Sequence, residues 1–290
     1  MDRKILCIVN RTAGAGRTGR LWPRIYRRMK QLNLKVDCVY TEGPYHASSL
    51  AAKSTADFSE LVAVGGDGTI NEVVNGMLGS SSVLGIIPTG KGNDLARTLG
   101  IPRNFELALE RLQNRVIRHV DVVQLGDTHF INGASVGFDA EVAHQVNCSV
   151  LPFRGMAAYV GAALKTLYRF KGCSISIELD DEKITKRGLM VVVANGQYYG
   201  GGMKIAPPAD LSDGFLDICL VEELGKMSFL ANLGRVYSGN HMNHPRVKFY
   251  RSKKIKITTE RPLRLQADGE LIGTTPCKIA VKPRAIAVLA

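Results

Sequence analysis

The sequence predicts two domains, an α/β domain with a parallel sheet followed by a mainly antiparallel β-sandwich domain. Over about the first 120 residues, short apolar runs alternate with segments of helical periodicity, the pattern of parallel strands joined by helices. After Arg118 the pattern changes to short β-branched or alternating runs, which is typical of an antiparallel sandwich. We therefore place the domains at 1–120 and 121–283, and the apolar final run 284–290 is compatible with a return to the first domain.

The composition restricts the partners and the compartment. The chain has 290 residues, 45% of them hydrophobic, and a formal net charge of +12, which favours an anionic partner such as a nucleotide, a nucleic acid or an acidic membrane surface. The six cysteines form no CxxC pair and lie mostly in apolar runs, so they indicate buried thiols in a reducing cytoplasm. No signal pattern is present, and the apolar runs are far shorter than the roughly 18 residues that cross a membrane.

The first domain begins with a strand and a glycine-rich loop. Lys4–Val9 is an apolar run that predicts the first strand, and residues 10–19 are rich in Gly, Arg and Thr. One apolar helix face follows, formed by Leu21, Ile25, Met29 and Leu32. A second strand is predicted over 34–41, and a short helix over 46–53.

The loop also contains the spacing GxGxxG, at Gly14, Gly16 and Gly19. With a strand before it and a helix after it, this spacing is the fingerprint of dinucleotide-binding folds. In those folds the first glycine ends the strand directly, whereas here Arg11–Ala13 intervene. The longer loop disfavours a dehydrogenase.

The central stretch is a strand, a glycine turn and a helix. Leu61–Val64 predicts a buried parallel strand that ends at Gly65 and Gly66, and helical spacing begins near Thr69 or Ile70. Such a turn presents backbone N–H groups and a helix N-terminus, which together suit a phosphate group. We interpret Asp67 inside the turn as facing Mg²⁺, a ribose or a hydroxyl group, and the alternative is that it caps the helix.

A second glycine turn follows the fourth predicted strand, Val83–Pro88. Residues 85–91 fit the opening of a P-loop, but Gly92 stands where that motif needs a Ser or Thr hydroxyl for Mg²⁺, so we reject a P-loop. The turn still lies beside the first one, and the two can close on one nucleotide. Asn93 or Asp94 is then expected to cap the next helix.

The second half is predicted to be rich in strands. The predicted strands are His119–Leu125, Thr128–Asn132, Cys173–Leu179, Gly188–Asn195, Phe215–Val221, Val247–Tyr250, Lys254–Thr259, Leu263–Ala267 and Cys277–Val281. Helices are expected at about 140–147, 154–170 and 226–238.

The two glycine turns carry a resemblance. GGDGTINEVVNG at 65–76 and PTGKGNDLAR at 88–97 resemble the soluble lipid kinases, which include bacterial diacylglycerol kinases and, more distantly, sphingosine and ceramide kinases. The GGDGT core is shared with NAD kinases. The resemblance implies ATP and Mg²⁺ as cofactors, although Lys91 stands where the family more often has Thr or Ser. The nucleotide-binding residues that it implies are Asn10, Gly14, Thr41, Gly65, Gly66, Asp67, Gly68, Thr69, Ile70, Asn71, Thr89 and Gly90.

Residues 132–139 resemble the family's loop at the domain junction. Two acidic segments of the second half complete the predicted site. In residues 206–217 the resemblance makes Asp213 a metal carboxylate, with Asp210 and Phe215 giving backbone carbonyls, and the alternative is an acidic turn. In residues 265–270 it makes Glu270 the general base and Asp268 its alternate or helper. The alternative there is a plain hairpin turn.

These patterns predict a cytoplasmic lipid kinase that associates peripherally with a membrane and converts diacylglycerol to phosphatidic acid. A basic stretch at 246–256 would attract anionic lipid headgroups, and no nucleic-acid-binding module accompanies it. An apolar stripe at 156–168 would line an acyl-chain pocket or simply pack in the core. The alternative functions are an NAD kinase and a catalytically inert nucleotide- or membrane-binding protein. The oligomeric state is left open, with a homodimer as one possibility.

Overall fold

The computed structural model describes residues 3–148 and 156–290, with the backbone alone at 147–148 and 156–160. The first domain contains β1 (Ile5–Val9), α1 (Arg17–Gln31), β2 (Val36–Tyr40), α2 (His46–Ser54), β3 (Glu60–Gly65), α3 (Asp67–Met77), β4 (Val83–Pro88), α4 (Asp94–Thr98) and α5 (Phe105–Asn114). Its strands pair in parallel in the order β4-β3-β1-β2. The α/β domain predicted from the alternating pattern is thus confirmed.

Helices cover both faces of this sheet, as the contacts of strand β3 show. Its alternate residues Leu61 and Ala63 pack with α2 and α3, whereas Val62 and Val64 pack with α1 and α5. A continuous apolar run is therefore needed, since neither face meets water. The carboxyl ends of all four strands reach one edge of the sheet, which is where the glycine turns lie.

Two boundaries in this domain differ from the predictions. Helix α1 begins at Arg17, so Gly19 lies inside the helix and not in the loop. Helix α3 begins at Asp67, two or three residues before the start predicted near Thr69 or Ile70. The reason is that the carbonyl of Gly66 already accepts the N–H of Ile70 at 3.0 Å, so the glycine turn is itself the first helical turn.

The second domain is mostly antiparallel, as predicted. Its elements are β5 (Ile117–Leu125), β6 (Thr128–Phe130), β7 (Gly133–Gly137), α6 (Phe138–Cys148), α7 (Met156–Arg169), β8 (Cys173–Glu178), β9 (Lys183–Ala194), β10 (Leu216–Glu222), α8 (Lys226–Leu233), α9 (Arg235–Ser238), a 3-10 helix (Asn240–Asn243), β11 (Val247–Ser252), β12 (Lys254–Thr259), β13 (Arg264–Ala267), β14 (Glu270–Thr274) and β15 (Cys277–Leu289). Strand β15 joins the domains, because it pairs antiparallel with β5 and, at Ala287–Val83, parallel with β4.

Several elements of this domain were predicted incorrectly. Residues 132–139, expected as a loop, contain strand β7, which lies between β9 and β13. Small residues are needed there, since a Cβ on Gly137 would lie 2.5 Å from the carbonyl oxygen of Leu189. Strand β14 was not predicted, and the helix expected at 226–238 is divided into α8 and α9 at Gly234. The first residues of the helix expected at 154–170 lie outside the described residues.

None of the helices in the described ranges combines the length and the apolar character that crossing a bilayer requires.

Candidate active site

The predicted nucleotide-binding residues gather at the carboxyl edge of the parallel sheet. After β1, the side-chain amide of Asn10 donates to Thr69 Oγ1 at 3.0 Å, while its Oδ1 accepts the N–H groups of Thr12 and Ala13, each at 3.2 Å. Thr41 follows β2, and its N–H donates to the carbonyl of Val9 at 3.0 Å. The ends of β1 and β2 and the start of α3 are thereby fixed together.

The two glycine turns are in direct contact. A Cβ on Gly90 would lie 2.4 Å from the Cα of Gly66, and a Cβ on Gly14 would lie 2.5 Å from the carbonyl oxygen of Thr89. Gly14 also has φ of +63°, a conformation that favours glycine. The N–H groups of Thr89 and Gly90 both donate to the carbonyl of Gly65, at 2.9 and 3.1 Å. Three loops therefore converge without intervening side chains.

The remaining residues of the first turn differ in what they can offer a ligand. An added Cβ on Gly68 would meet no atom within 4 Å, so the space above it is open. The side chain of Ile70 is fully buried, which leaves its backbone as the group that can face the cleft. Both the carbonyl and the side-chain oxygen of Asn71 accept from the Asn75 amide, at 2.9 and 3.2 Å.

Asp67 caps a helix, but not its own. Its carboxylate accepts the N–H groups of Asn93 and Asp94, each at 2.7 Å, and that of Leu95 at 3.3 Å. These are N-terminal donors of α4, which have no partner within the helix. The predicted caps Asn93 and Asp94 do not cap α4 with their side chains. Asp67 belongs to the first glycine turn, and its hydrogen bonds therefore fix the position of the second glycine turn.

Asp94 places a second carboxylate beside Asp67. Its Oδ2 accepts the N–H of Gly201 at 2.7 Å, but its buried Oδ1 has no hydrogen-bond partner among the described residues. Burial, and next the nearby charge of Asp67, raise the pKa of Asp94 to about 6. A buried carboxylate oxygen without a donor is costly, so it points to a proton or a cation at this position.

Asp268 faces these carboxylates from the second domain. It lies in the β13–β14 turn, and its carboxylate accepts the N–H groups of Ile131, Asn132 and Gly133, at 3.0, 3.2 and 2.9 Å. Burial is the main cause that raises its pKa to about 6, and the charge of Asp67 adds to it. A cleft of about 330 Å³ lies between the domains here, and its lining includes Asp67, Asp94, Asp139, Gln266 and Asp268.

Glu270 lies two residues further on, at the start of β14, and it is not among the residues that line this cleft. Burial first and the charge of Glu72 second raise the pKa of Glu270, while a hydrogen bond with the Tyr45 side chain lowers it. Glu72 and Tyr45 belong to the first domain. Glu270 is therefore a half-buried carboxylate where the two domains meet.

The predicted metal residues are occupied by other contacts in the described structure. Asp213 forms an ion pair with Arg251 and also accepts the N–H of Phe215 at 2.9 Å. Asp210 accepts the N–H and the hydroxyl of Ser212, at 3.0 and 2.7 Å. Within residues 3–148 and 156–290, no group of three or more His, Cys, Asp or Glu side chains is arranged to hold a metal ion. The metal role of Asp213, Asp210 and Phe215 stays a prediction.

A buried polar network in the cleft wall was not predicted. The Asp139 carboxylate accepts from Ser135 Oγ at 2.8 Å and from Gln266 Nε2 at 3.0 Å, and the Tyr199 hydroxyl also donates to it. Asp139 lies within residues 132–139 and Gln266 within residues 265–270, two segments that the resemblance already singled out, so their position was a usable signal. Tyr199 lies in an irregular segment with no periodicity, and only the folded chain brings it here.

The comparisons with known proteins agree with this arrangement. Residues 4–125 match the family described as the diacylglycerol kinase catalytic domain, and residues 132–290 match the YegS C-terminal NAD kinase beta sandwich-like domain. A diacylglycerol kinase of Staphylococcus saprophyticus is 29% identical over 283 residues, covering 95% of this chain and 92% of that protein. One of Bacillus subtilis is 32% identical over 231 residues, covering 78% and 76%.

A solved structure extends the agreement to the fold. A Bacillus anthracis protein, provisionally named a diacylglycerol kinase, superposes with a TM-score of 0.84 at 26% identity, covering 99% of this chain and 97% of that one. The two domains and the site between them define a phosphotransferase that acts on an alcohol. The chain belongs to the diacylglycerol kinase family and is a lipid kinase, which confirms the resemblance carried by residues 65–76 and 88–97. Membership of a kinase family implies ATP as the phosphate donor.

Proposed function

We propose that this lipid kinase transfers the γ-phosphoryl group of ATP, with Mg²⁺, to the free hydroxyl of diacylglycerol and so forms phosphatidic acid. The relatives named diacylglycerol kinase support this acceptor. The observation that carries the proposal is the position of two touching glycine turns across a cleft from the turn at Asp268, which Glu270 follows at the start of β14. One side offers N–H groups to phosphates. The other offers the carboxylate of Asp268, with that of Glu270 two residues further along the chain.

The triphosphate would lie over the glycine turns. The open space above Gly68 and the N-terminus of α3 let a phosphate approach backbone N–H groups without a side chain in the way. Asn10 and Thr69, which are hydrogen bonded to each other, would position that turn. In-line transfer depends chiefly on such positioning, since the protein contributes little covalent chemistry.

Glu270 would take the proton of the attacking hydroxyl. Its raised pKa brings the carboxylate closer to the range in which a general base works well. The proton would pass from the acceptor oxygen to a carboxylate oxygen of Glu270 as the new O–P bond forms and the bond between the γ-phosphorus and the β–γ bridging oxygen breaks, with ADP as the leaving group. Asp268, whose carboxylate is held by three N–H groups, would position the turn that carries Glu270.

The cleft fits a magnesium ion carried by the nucleotide. Mg²⁺ in kinases is held by one or two carboxylates together with phosphate oxygens, and the unpartnered Oδ1 of Asp94 beside Asp67 supplies such a donor. When bound, the ion would neutralise the charge that develops on the transferred phosphoryl group. Asp213, Asp210 and Phe215 form a separate predicted set, for which the ion pair with Arg251 would have to open.

Basic surfaces support peripheral association with an anionic membrane. An open cavity of about 630 Å³ near α7 is lined by the basic residues Lys165, Arg169, Lys171, Arg261 and Arg264. Of the described lining residues Glu141 is the acidic one, and it pairs with Arg264 at 2.9 Å. Basic residues near an anionic surface contribute about 1 kcal/mol each.

The test is transfer of labelled γ-phosphate from ATP and Mg²⁺ to a panel of acceptors. The panel contains mixed micelles of diacylglycerol, of ceramide and of sphingosine, and NAD in solution. We expect label in diacylglycerol above all others. Label in NAD would assign the protein to the NAD kinase activity, and ATP binding without transfer to any acceptor would leave an inert binder; either result contradicts the proposal.

A further inference from the structure

The loop between β2 and α2 of the first domain reaches the second domain beside the proposed base. It ends at Tyr45, immediately before α2 begins at His46. Tyr45 is 68% exposed, and its side chain forms a hydrogen bond with Glu270. An exposed tyrosine of one domain therefore bonds the carboxylate of the other domain that we assign as the general base.

Contacts within the first domain fix the shape of this loop. At its start, the N–H of Thr41 donates to the carbonyl of Val9 at 3.0 Å. Across the loop, the N–H of Glu42 donates to Nδ1 of His46 at 3.0 Å. Tyr45 has φ of +61°, a left-handed conformation that residues other than glycine adopt only when their surroundings impose it. The loop thus has one defined path from the nucleotide-binding edge to Tyr45.

Helix α2, which follows Tyr45 directly, is anchored on α3. A Cβ on Gly76 would lie 2.2 Å from the carbonyl oxygen of Ser48, so the two helices are in close contact. The carboxylate of Glu72 accepts the N–H of Ala47 at 2.9 Å and so satisfies a donor at the N-terminus of α2. The position of Tyr45 is therefore tied to α3, the helix that begins in the first glycine turn.

The second domain fixes the backbone on the other side of the contact. The carboxylate of Asp268 accepts three N–H groups of residues 131–133, and the N–H of Gly269 donates to Oε1 of Gln266 at 3.0 Å. Asp268 and Gly269 have φ of +46° and +90°, which makes the turn tight. The backbone that leads to Glu270 is held by its own domain, and its side chain is bonded by Tyr45 from the other.

The charges around Glu270 define what the tyrosine hydroxyl does there. Glu72 is the charged group that raises the pKa of Glu270, after burial. The other charged or titratable side chains on the elements that pack against β14 are Asp139, Glu141 and His144 on α6 and Arg264 on β13. Of these, Glu141 and Arg264 form an ion pair at 2.9 Å. An ionised carboxylate only accepts hydrogen bonds, so the hydroxyl of Tyr45 donates to it and favours its ionised form.

We infer that Tyr45 is a positioning residue for the phosphoryl transfer. Its hydroxyl holds one oxygen of the Glu270 carboxylate, so the other oxygen stays directed to the hydroxyl of the acceptor. The inference rests on the proposed function, to which it adds the residue that orients the base. Because Tyr45 and Glu270 belong to different domains, the base is oriented only while the domains keep this arrangement.

The pH profile of Tyr45→Phe tests this role, since the variant loses the hydroxyl and keeps the ring. Loss of a donor to the ionised carboxylate raises the pKa of Glu270, so the rise of kcat with pH should move to higher pH. A hydrogen bond to a charged group is worth about tenfold, and exposure to water weakens it. We therefore expect kcat below the rise to fall about three- to tenfold, with KM for ATP near the wild-type value.

Tyr168→Phe, at an exposed tyrosine on α7, is the matched control and should keep the wild-type profile. An unchanged profile for Tyr45→Phe, or one that moves to lower pH, would overturn the inference.

A double variant separates positioning from a general structural effect. In a protein that already carries Glu270→Gln, no ionised carboxylate is left to orient, so Tyr45→Phe should cause no further loss of kcat. An equal loss in the presence and absence of Glu270 would show that Tyr45 acts through another group.

Unfolding in urea tests the bond without turnover. The hydroxyl stabilises the folded protein where Glu270 is ionised, so Tyr45→Phe should be less stable than the wild type near pH 7. The difference should vanish near pH 4, where Glu270 is protonated in both proteins, and it should be absent when both carry Glu270→Gln. A loss of stability that does not depend on pH would contradict the bond.

The two proposals fail in different ways. If the wild type transfers no phosphate to diacylglycerol, the proposed function is wrong, and the unfolding experiment still decides whether Tyr45 holds Glu270. If the wild type is active and Tyr45→Phe matches it in both assays, the function stands and the role of Tyr45 is wrong.

Discussion

The carboxylate of Asp67 lies 2.7 Å from the backbone nitrogen of Asp94 and accepts its hydrogen. This bond links the turn after β3 to the turn after β4, so the arrangement of both glycine turns depends on one side chain. The same charge also contributes to the raised pKa values of Asp94 and, across the cleft, Asp268. Asp67 therefore organises the cleft as well as lining it.

Removing this cap should destabilise the first domain. Asp67→Ala leaves the N-terminal donors of α4 without an acceptor, which we expect to lower the free energy of unfolding by about 1–2 kcal/mol. Urea or thermal unfolding without ligand measures the change. Asp37→Ala, at an exposed site on β2, is the control, and equal stability of the two variants would show that the cap contributes nothing.

The contact between the glycine turns should be essential for nucleotide binding. In Gly90→Ala the new Cβ would lie 2.4 Å from the Cα of Gly66, so the turns must separate. A displacement of about 1 Å can cost roughly a hundredfold, so we expect such a loss in kcat/KM for ATP. Gly225→Ala, where a Cβ meets no atom within 4 Å, should behave like the wild type. Normal kinetics for Gly90→Ala would mean that the turns need not touch.

The pH dependence of activity should respond to Glu72. As the proposed general base, Glu270 would act only when ionised, so activity should rise with pH through the Glu270 pKa. The charge of Glu72 helps to raise that pKa, so Glu72→Gln should move this rise to lower pH. The profile of kcat against pH measures the shift. If the rise stays in place or moves upward, Glu270 is not the group that titrates.

Stability should fall in acid through His241. Burial lowers the pKa of His241 in the folded state below the ordinary histidine value of 6.5, so the unfolded chain binds the proton more readily. The stability that this difference provides is present above about pH 6.5 and is lost as the pH falls toward the folded-state pKa. His241→Gln keeps a donor and should lose less stability between pH 7 and pH 5. His119→Gln, at an exposed site, should follow the wild type, and identical pH slopes for all three proteins would refute the role of His241.

The structure of the first domain could be predicted from the sequence because the patterns that determine it are local. A strand buried on both faces must be continuously apolar, and the glycine turns need glycine wherever a Cβ would strike another loop, as at Gly90. The start of the helix at 67–77 was predicted two or three residues too late, because the glycine turn and the first helical turn are the same segment. The predicted positions Asn10, Thr41 and Thr89 all lie at the expected edge.

The structure of the second domain was harder to predict from the sequence because contacts between distant segments determine it. Strand β7, with the sequence GASVG, lacks the β-branched pattern of a strand and forms because β9 and β13 pair with it on either side. The partners of carboxylates are equally invisible in sequence: nothing local indicates that Asp67 caps α4, that Asp213 meets Arg251, or that Tyr199 bonds Asp139. These contacts join segments that only the fold brings together.

The most direct test of the account is the phosphoryl-transfer rate of Glu270→Gln. The assay measures kcat with labelled ATP, Mg²⁺ and diacylglycerol micelles, alongside ATP affinity and thermal stability of the same variant. Removal of a general base costs about 10²–10⁴-fold, so kcat should fall at least about a hundredfold while ATP affinity and stability stay close to wild type. A variant that transfers phosphate at nearly the wild-type rate would show that Glu270 is not the base.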